Sequence, residues 1–441
     1  MPTHEKHDTH EKALSINLDT SIFGSFAEIG AGQEVARWFL RVGGASGTVA
    51  KTISAYDKEV SDNLYGTGTR YVSKSRLQAM LDREWEQLLG QLGAIRGADT
   101  RFFAFVDTVS ARNYAGTNDC HGWIGLRFFN EPGGAVQDVI LHVNLQDPSN
   151  LRQQEAVGIL GVNLLYAAHH ALGSPSEFLA SVFDDLGLDR LEIDCLEWSG
   201  PAFQDWDRNE VHAFLVSGGY AEAVVIPADG ELVPPNEVLY KRALVLAPGG
   251  FDTLGQLHAN LIGDTLARLP REEVTESKGG LGLFCLSIND LGKEGEGASV
   301  KEIVEHTKTL RGLGYGAMIF ARSELYRISA YANRYTQSPI HFAIELTVVV
   351  RVLEHRYKDL PGALLEGLSR LFMQNVRLIV YPVPEEELQG RLRAAGLSGW
   401  SWEQTHGMVR AENFAPSGPL GSLYQYLLRS GFILPGIARK R

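Results

Sequence analysis

Hydrophobic residues in the first half of the chain follow two spacings, which predict a mixture of helices and strands. The helical spacing occurs in 32–42, 73–95 and 150–172, and the strand-like runs are 101–111, 121–129, 136–145 and 190–198. A short Asn-Glu-Pro-Gly-Gly turn joins the second and third runs, which is typical of a hairpin. The sequence therefore predicts an antiparallel meander inside an α+β region.

In the second half, short and nearly continuous apolar runs alternate with amphipathic segments. The predicted strands are 242–248, 282–288, 316–322, 340–346 and 376–383, and the predicted helices are 257–269, 299–312, 323–334, 361–374 and 384–396. Apolar strands that alternate with helices indicate parallel β-α-β units. We therefore expect an α/β fold with a doubly wound parallel sheet, and the strand at 243–247 near its centre.

The segment 227–237 is the richest in Pro, Gly and acidic residues, which favours a domain boundary there. We expect a disordered tail over 1–18, an N-terminal α+β domain over 19–236 and the α/β domain over 237–441. The tail is polar and has none of the features of a signal peptide. Its three evenly spaced histidines, His4, His7 and His10, are compatible with adventitious metal binding, but a solvated tail is the simpler interpretation.

Composition and charge narrow the class of protein. The 441 residues are 44% hydrophobic and 21% charged, with a net charge of -12. This charge argues against a general nucleic-acid or anionic-membrane surface, and no apolar run reaches the roughly 18–20 residues that span a bilayer. Cys120, Cys195 and Cys285 are few and far apart, which favours a reducing cytoplasm over a disulfide framework.

The segment 243–269 has the pattern of a buried strand, a glycine turn and a helix that begins near Leu257. Ligands of open parallel sheets collect at the carboxyl ends of the strands. Gly249 and Gly250 would let backbone N–H groups approach a phosphate, and the next helix would offer its positive N-terminus. A Gly-Gly pair also occurs in turns that bind nothing, so this feature leaves both interpretations open.

The residues after the turn resemble the nucleotidyltransferase signature, in which Gly-Gly-Thr-Phe-Asp-Pro leads into His-x-Gly-His. Phe251 and Asp252 match its Phe-Asp pair, and His258 matches its second His. The departures are Gly255 for the first His, Leu257 for the intervening Gly, Thr253 for the Pro, and one residue missing between Gly250 and Phe251. The family's second signature, Ile-Ser-Ser-Thr-x-x-Arg, is not found.

This resemblance implies a nucleotidyltransferase-like Rossmann domain. It implies that Gly249, Gly250, Phe251 and Asp252 bind a nucleotide and that His258 is catalytic through charge stabilisation at the transferred phosphorus.

Four stretches of the first half carry a more specific resemblance: 23–57, 120–128, 153–168 and 199–203. They closely resemble a bacterial family of roughly this length that is labelled nicotinate-nucleotide or nicotinamide-nucleotide adenylyltransferase. The resemblance covers residues 20 to about 385. The glycine turn of that family usually reads Gly-Ser-Phe-Arg-Pro-x-Thr-His, so its nucleotidyltransferase motif is already degraded.

Two further stretches of the first half contain chemistry-bearing residues. The small-residue loop at 43–52 resembles a phosphate loop, but Lys51 lacks the preceding Gly of Walker spacing, so close backbone packing is the simpler interpretation. Cys120 and His121 are adjacent before a strand, where neighbouring side chains point to opposite faces. A structural cluster is again the simpler interpretation, although His121 and Asp107 lie at strand ends and could share a pocket.

Two functions remain open. As an enzyme, the protein would transfer AMP from ATP to a pyridine mononucleotide with Mg²⁺ bridging the triphosphate. As a structural protein, it would be a catalytically degenerate homo-oligomeric scaffold or a nucleotide-binding protein. The small residues in the apolar segment 156–168 suit close helix packing within or between subunits, and we expect a homo-oligomer.

Overall fold

The computed structural model describes residues 6–68, 70–249, 254–270, 278–288, 299–355, 357–373, 375–394, 398–403 and 407–436. The chain forms two compact units, Met1–Glu222 and Ala223–Arg441. Both have α/β architecture.

The N-terminal unit is built on a six-stranded mixed sheet. Its elements are α1 (Thr9–Leu18), β1 (Ile22–Ile29), α2 (Glu34–Val42), β2 (Val49–Ile53), α3 (Lys58–Tyr65), α4 (Lys74–Arg96), β3 (Arg101–Ser110), β4 (His121–Phe129), β5 (Val136–Leu145), α5 (Asn150–His170), α6 (Pro175–Val182), β6 (Leu191–Ser199) and α7 (Arg208–Ser217). The strand order is β2-β1-β3-β4-β5-β6. The first three strands are parallel, and β3 to β6 form the predicted antiparallel meander with one added strand.

Alternate residues of these strands face opposite helical layers, as the period of two requires. Ala27 and Val106 pack with Leu81 of α4 on one face. Phe26 packs on the other face against Phe39 of α2, with 5.2 Å between the ring centroids. The sheet is therefore covered on both sides, and α5 lies on the α2 side.

The prediction of a disordered tail over 1–18 is wrong for residues 9–18, which form α1. The Asp8 carboxylate accepts a hydrogen bond from the Glu11 N–H at 2.8 Å, and the Glu11 carboxylate accepts one from the Asp8 N–H at 3.2 Å. This reciprocal arrangement is a capping box. The buried Lys12 ammonium lies 2.8 Å from the Asp184 carboxylate, which fixes the helix to the unit.

Of the three spaced histidines in this segment, His4 lies outside the described residues. The His7 ring lies 3.7 Å from the Glu11 carboxylate. Within the described ranges, no group of three or more His, Cys, Asp or Glu side chains is arranged to hold a metal ion.

The C-terminal unit is built on a seven-stranded sheet. Its elements are β7 (Ala223–Ile226), α8 (Pro235–Leu239), β8 (Ala243–Gly249), α9 (Gln256–Leu266), β9 (Gly280–Ser287), α10 (Val300–Arg311), β10 (Gly316–Phe320), α11 (Leu325–Tyr335), β11 (Ile340–Glu345), α12 (Leu346–Glu354), α13 (Ala363–Leu371), β12 (Val376–Tyr381), β13 (Val383–Pro384), α14 (Glu385–Ala394), β14 (Trp400–Trp402), β15 (Met408–Val409), β16 (Phe414–Pro416), α15 (Gly418–Arg429) and β17 (Ile433–Pro435).

The sheet order is β17-β12-β11-β8-β9-β10-β7, so β8 is the central strand, as predicted. Every neighbouring pair is parallel except β10 and β7. From β8 the chain runs outward through β9 and β10, then returns to β11 and runs outward through β12 and β17. The two outward paths separate between β8 and β11, where ligands of open parallel sheets collect.

Both faces of this sheet are covered by helices. Leu244 and Leu246 of β8 pack in one core with α11, α12, α13 and α15. Val245 and Ala247 pack in the other core with α9 and α10. β7 belongs to this sheet, which is why the unit begins at Ala223, earlier than the boundary expected after residue 236. In the described part of the chain, no helix is long and apolar enough to cross a membrane.

Candidate functional site

The predicted glycine turn leaves the carboxyl end of the central strand. Gly249 is the last residue of β8, and α9 begins at Gln256, one residue before the predicted start. Gly250, Phe251 and Asp252 lie outside the described residues, so their nucleotide contacts stay predictions. Because β8 to β12 are parallel, their carboxyl ends share the sheet edge at which this turn begins.

A pocket of about 120 Å³ opens at this edge. Gly249 lines it from β8, Ser287 from the end of β9, and Arg351 from α12. The remaining lining residues are Pro248, Cys285, Ser323, Glu324, Leu325, Ile328, Val348, Val352, His355 and Tyr357. The pocket is therefore assembled from the ends of β8 and β9, the segment after β10, and the helices α11 and α12, which are distant in sequence.

Ser287 and Arg351 are the two lining residues that are best suited to contact an anionic ligand. The hydroxyl of Ser287 is buried and has no hydrogen-bond partner in the described part of the chain. It lies on the same face of β9 as Cys285, two residues earlier, which packs towards α11 and α12. The exposed Arg351 makes no ion pair with any described residue. A buried unpaired hydroxyl is costly, so its position in a pocket points to a ligand.

The sequence analysis missed both residues. Ser287 is the one polar residue in the apolar run 282–287 apart from glycine, and Arg351 interrupts the apolar run 346–353. Ser287 could have been identified as a candidate ligand-binding residue, because it is polar and lies at the carboxyl end of a predicted parallel strand. The position of Arg351 depends on α12, a helix that the sequence analysis did not predict.

His258 lies in the first turn of α9 and is not among the described residues that line this pocket. Its ring is buried, and its Nδ1 atom has no hydrogen-bond partner in the described ranges. Burial, helped by the positive charge of Arg391, lowers the pKa of His258 to about 4. The imidazole is therefore neutral at pH 7 and can donate or accept a hydrogen bond, but it carries no charge to place against a phosphate.

Arg391 occupies the other side of the same edge. Its guanidinium lies 3.1 Å from the carboxylate of Glu345, the last residue of β11, and also pairs with Glu387. Because both of its partners are carboxylates, Arg391 is largely neutralised. In the described part of this edge, Arg351 thus remains a cation without a carboxylate partner.

In the N-terminal unit, the loop at 43–52 has a structural explanation. Gly43 and Gly44 adopt φ values of 93° and 76°, which only glycine adopts readily. The Lys51 ammonium pairs with the Glu84 carboxylate and donates a hydrogen bond to Gln87 at 3.0 Å. Lys51 is thus engaged with α4, which supports the packing interpretation over a phosphate loop.

His121 and Asp107 do not share a pocket. Asp107 lies opposite Ile124 in the β3–β4 register, and an odd separation along β4 places His121 on the other face. His121 instead lies 3.1 Å from His142, a partner that the sequence analysis did not identify. The Cys120 thiol lies 3.6 Å from the Asn118 carbonyl oxygen.

No protein-family model matches this chain. No curated protein is significantly similar to it. Part of the chain is similar to several solved structures of competence proteins. One is the competence/damage inducible protein CihA from Agrobacterium tumefaciens, with 20% identity over 38% of this chain and 99% of that chain and a TM-score of 0.28. Another is a competence-damaged protein (CinA) superfamily protein from Enterobacter cloacae, with 13% identity over 38% of this chain and 98% of that chain and a TM-score of 0.28. At these TM-scores the similarity carries no conclusion about function.

Proposed function

We propose that the C-terminal unit binds a nucleotide through its phosphates at the carboxyl edge of β8. The observation that carries this proposal is the pocket that joins Gly249, Ser287 and Arg351. Among the described residues, the buried Ser287 hydroxyl has no hydrogen-bond partner and the Arg351 guanidinium has no ion pair. A backbone turn, a hydroxyl donor and a cation are the groups that hold phosphate oxygens in proteins.

The size of the pocket sets which part of the ligand it encloses. Ligand pockets usually measure about 300–1,000 Å³, and this one measures about 120 Å³. It therefore encloses the phosphate end of a nucleotide, while the base and sugar lie outside it. The turn from Gly250 to Asp252 and the N-terminus of α9 would complete the phosphate contacts from the β8 side.

The finer hypothesis is adenylyl transfer from ATP to a pyridine mononucleotide with release of pyrophosphate. The sequence resemblance supports it, and Mg²⁺ would accompany the triphosphate. Two residues weigh against catalysis. Gly255 stands where the signature has its first His, and His258 is buried and neutral. A nucleotide-binding protein with a degenerate catalytic motif is the second candidate, favoured by these two residues.

Self-association is a separate part of this proposal. The expectation of a homo-oligomer depended on the apolar, glycine-containing helix α5. In the structure, the apolar residues of α5 are mostly buried within the N-terminal unit. A subunit interface must therefore use another surface, and light scattering after size exclusion will give the oligomeric state.

The binding experiment compares variants of the full chain by calorimetry with ATP and with nicotinamide mononucleotide. We expect Arg351→Gln to weaken binding about tenfold or more, and Gly250→Val to abolish it because a Cβ would block the backbone N–H groups. Arg370→Gln is the matched control, since Arg370 is an exposed cation of α13 that pairs with Glu366. Equal affinity in all these proteins, or no binding to the wild type, would refute the proposal.

The catalytic experiment measures pyrophosphate release from ATP in the presence of nicotinate or nicotinamide mononucleotide. Wild type and His258→Ala are assayed together, with circular dichroism to verify folding. Release that depends on His258 would establish adenylyl transfer. Nucleotide binding without release would leave the binding protein as the function.

A further inference from the structure

The outer end of the pocket in the C-terminal unit is bordered by exposed side chains. Of the described residues that line it, Ser323, Arg351 and His355 are exposed, and the others are buried or half-buried. Ser287 is buried and therefore lies deeper, while these three residues border the mouth. Among the three, His355 carries the one ring, so a ligand that extends out of the pocket meets an aromatic side chain there.

The position of His355 relative to Arg351 follows from α12. Arg351 lies in the last turn of this helix, and His355 is the residue directly after the helix, four positions from Arg351. Side chains four positions apart are neighbours on one face of a helix, with roughly 5–6 Å between their Cβ atoms. The guanidinium and the imidazole therefore border the mouth side by side.

The ring of His355 stands nearly perpendicular to the ring of Tyr357. The two centroids are 4.6 Å apart, and the ring planes meet at 82°. In a perpendicular pair only one ring turns a face towards the other, so Tyr357 leaves at least one face of the imidazole uncovered. Because the His355 side chain is exposed, a flat ligand can reach this face.

Tyr357, which supports this ring, is fixed in place by its surroundings. It is buried, and its hydroxyl donates a hydrogen bond at 2.9 Å to the carbonyl oxygen of Val352. Its ring packs directly on Gly367, where a Cβ would lie 2.5 Å from a ring atom. The backbone of Tyr357 has a φ of 42°, which is rare for a bulky residue. Such strained residues persist where the structure fixes them, and they cluster at ligand sites.

We propose that His355 stacks on the aromatic base of the bound nucleotide, so that the site selects nucleotides over polyphosphates and sugar phosphates. This inference rests on the proposed nucleotide site. The outer phosphates lie inside the pocket near Ser287, and Arg351 pairs at the mouth with the phosphate that is attached to the ribose. The base then lies beyond the sugar, against the uncovered face of His355. Stacking tolerates different bases because every base has a π face, so adenine and pyridine nucleotides are both accepted.

The test separates the base from the phosphates by means of tripolyphosphate, which has the phosphates of ATP but no base. Calorimetry on the full chain is expected to show at least tenfold tighter binding of ATP than of tripolyphosphate. His355→Ala should weaken ATP binding about tenfold or more, because the stacking contact is lost, and should leave tripolyphosphate binding unchanged. His355→Phe should keep the ATP affinity of the wild type, since phenylalanine retains a ring without the imidazole nitrogens. His10→Ala, in an exposed histidine of α1, is the matched control and should change neither affinity.

Proton NMR of bound ATP gives a second readout, because a stacked aromatic ring shifts the adenine proton signals upfield. The shift should be present in the wild type and in His355→Phe and absent in His355→Ala.

The outcomes distinguish this inference from the nucleotide site on which it rests. Absence of both ATP and tripolyphosphate binding by the wild type would refute the site and the inference together. Equal affinity of the wild type for the two ligands, or an unchanged ATP affinity in His355→Ala, would overturn the inference and leave the phosphate pocket in place. An equal loss for both ligands in His355→Ala, or a His355→Phe variant as weak as His355→Ala, would overturn it as well.

Discussion

At the scale of single residues, two buried carboxyl groups are the most unusual feature outside the candidate sites. Glu28 of β1 and Asp107 of β3 are direct neighbours in the parallel register. The Glu28 carboxylate accepts hydrogen bonds from the N–H groups of Val35 and Ala36 at 3.0 and 2.9 Å. Asp107 accepts one from Ile29, and its second oxygen has no partner among the described residues.

This carboxyl pair makes stability depend on pH. Burial raises the pKa of Glu28 to about 7, and burial together with the charge of Glu28 raises the pKa of Asp107 well above its usual range. The folded state therefore holds protons that the unfolded state releases above pH of about 4. The stabilising contribution of the pair is complete below that pH and is lost as the pH rises towards and beyond 7.

We expect Asp107→Asn to remove most of this dependence. The free energy of unfolding of the variant, relative to wild type, should increase from pH 5 to pH 8 with a slope of up to about 1.4 kcal/mol per pH unit. Urea unfolding at several pH values measures it. Asp99→Asn, at an exposed carboxylate, is the control and should give a difference that does not vary with pH. A flat difference for Asp107→Asn would show that the pair is ionised when folded.

At the scale of elements, the close packing of α5 was predictable because small residues are visible in the sequence. A Cβ at Gly161 would lie 2.3 Å from the Val35 side chain of α2 and 2.9 Å from Phe105 of β3. A Cβ placed at Gly90, in the interior of α4, would have no neighbouring heavy atom within 4 Å. The two glycines look alike in the sequence, and only the structure separates their roles.

Alanine at these two positions should have opposite effects on stability. Gly161→Ala overpacks the contact between α5 and α2 and should destabilise the protein by about 1–3 kcal/mol. Gly90→Ala meets no neighbour and should stabilise it by about 0.5–1 kcal/mol, because alanine lowers the entropy of the unfolded chain. Thermal and urea unfolding of both variants measure the difference. A stabilising Gly161→Ala would mean that α5 and α2 are separated in solution.

The helix α1 was not predictable from its pattern, because a buried ion pair fixes it rather than an apolar stripe. Lys12 is fully buried, and its ammonium donates hydrogen bonds to the Ser181 carbonyl oxygen and to Asp184, at 2.7 and 2.8 Å. A lysine in a polar N-terminal segment usually indicates a solvated position. Its partner Asp184 lies 172 residues further along the chain, so the local sequence pattern around Lys12 does not indicate the ion pair.

We expect Lys12→Ala to destabilise the protein by about 3–5 kcal/mol, because it removes the buried cation that pairs with the Asp184 carboxylate. Lys6→Ala is the matched control. Lys6 pairs with Asp185 next to that carboxylate, but its side chain is 62% exposed, so the loss should be below about 1 kcal/mol. Urea unfolding measures both free energies of unfolding. An equal decrease in the two variants would indicate that residues 9–18 are exposed to solvent, as in a disordered tail.

At the scale of the whole molecule, local patterns predicted five of the seven strands of the C-terminal sheet, β8 to β12, and the central position of β8, since each of these strands is a separate apolar run. They did not predict β7 or β17, which are short strands at the two edges. They did not predict which strand ends meet. Ser287 and Arg351 are brought together by the crossover of the sheet, which depends on long-range pairing. The same limit applies to the contact between His121 and His142, because it depends on the pairing of β4 with β5.

The boundary between the units shows this limit and allows a direct test. A boundary after residue 236, as the Pro-rich segment suggests, would separate β7 from the sheet in which it pairs with β10. Val224, Val225 and Ile226 of β7 are buried, and burial of such a side chain contributes about 1.5–3 kcal/mol. Without β7, the edge of β10 would be open to pairing with other chains.

We therefore expect the fragment 223–441 to unfold cooperatively and to stay soluble, while the fragment 237–441 aggregates or unfolds at a clearly lower temperature. Calorimetry and light scattering on both fragments measure this difference. The fragment 223–441 should also bind ATP, because it contains all described residues of the proposed nucleotide site. Two C-terminal fragments of equal stability would show that β7 is dispensable.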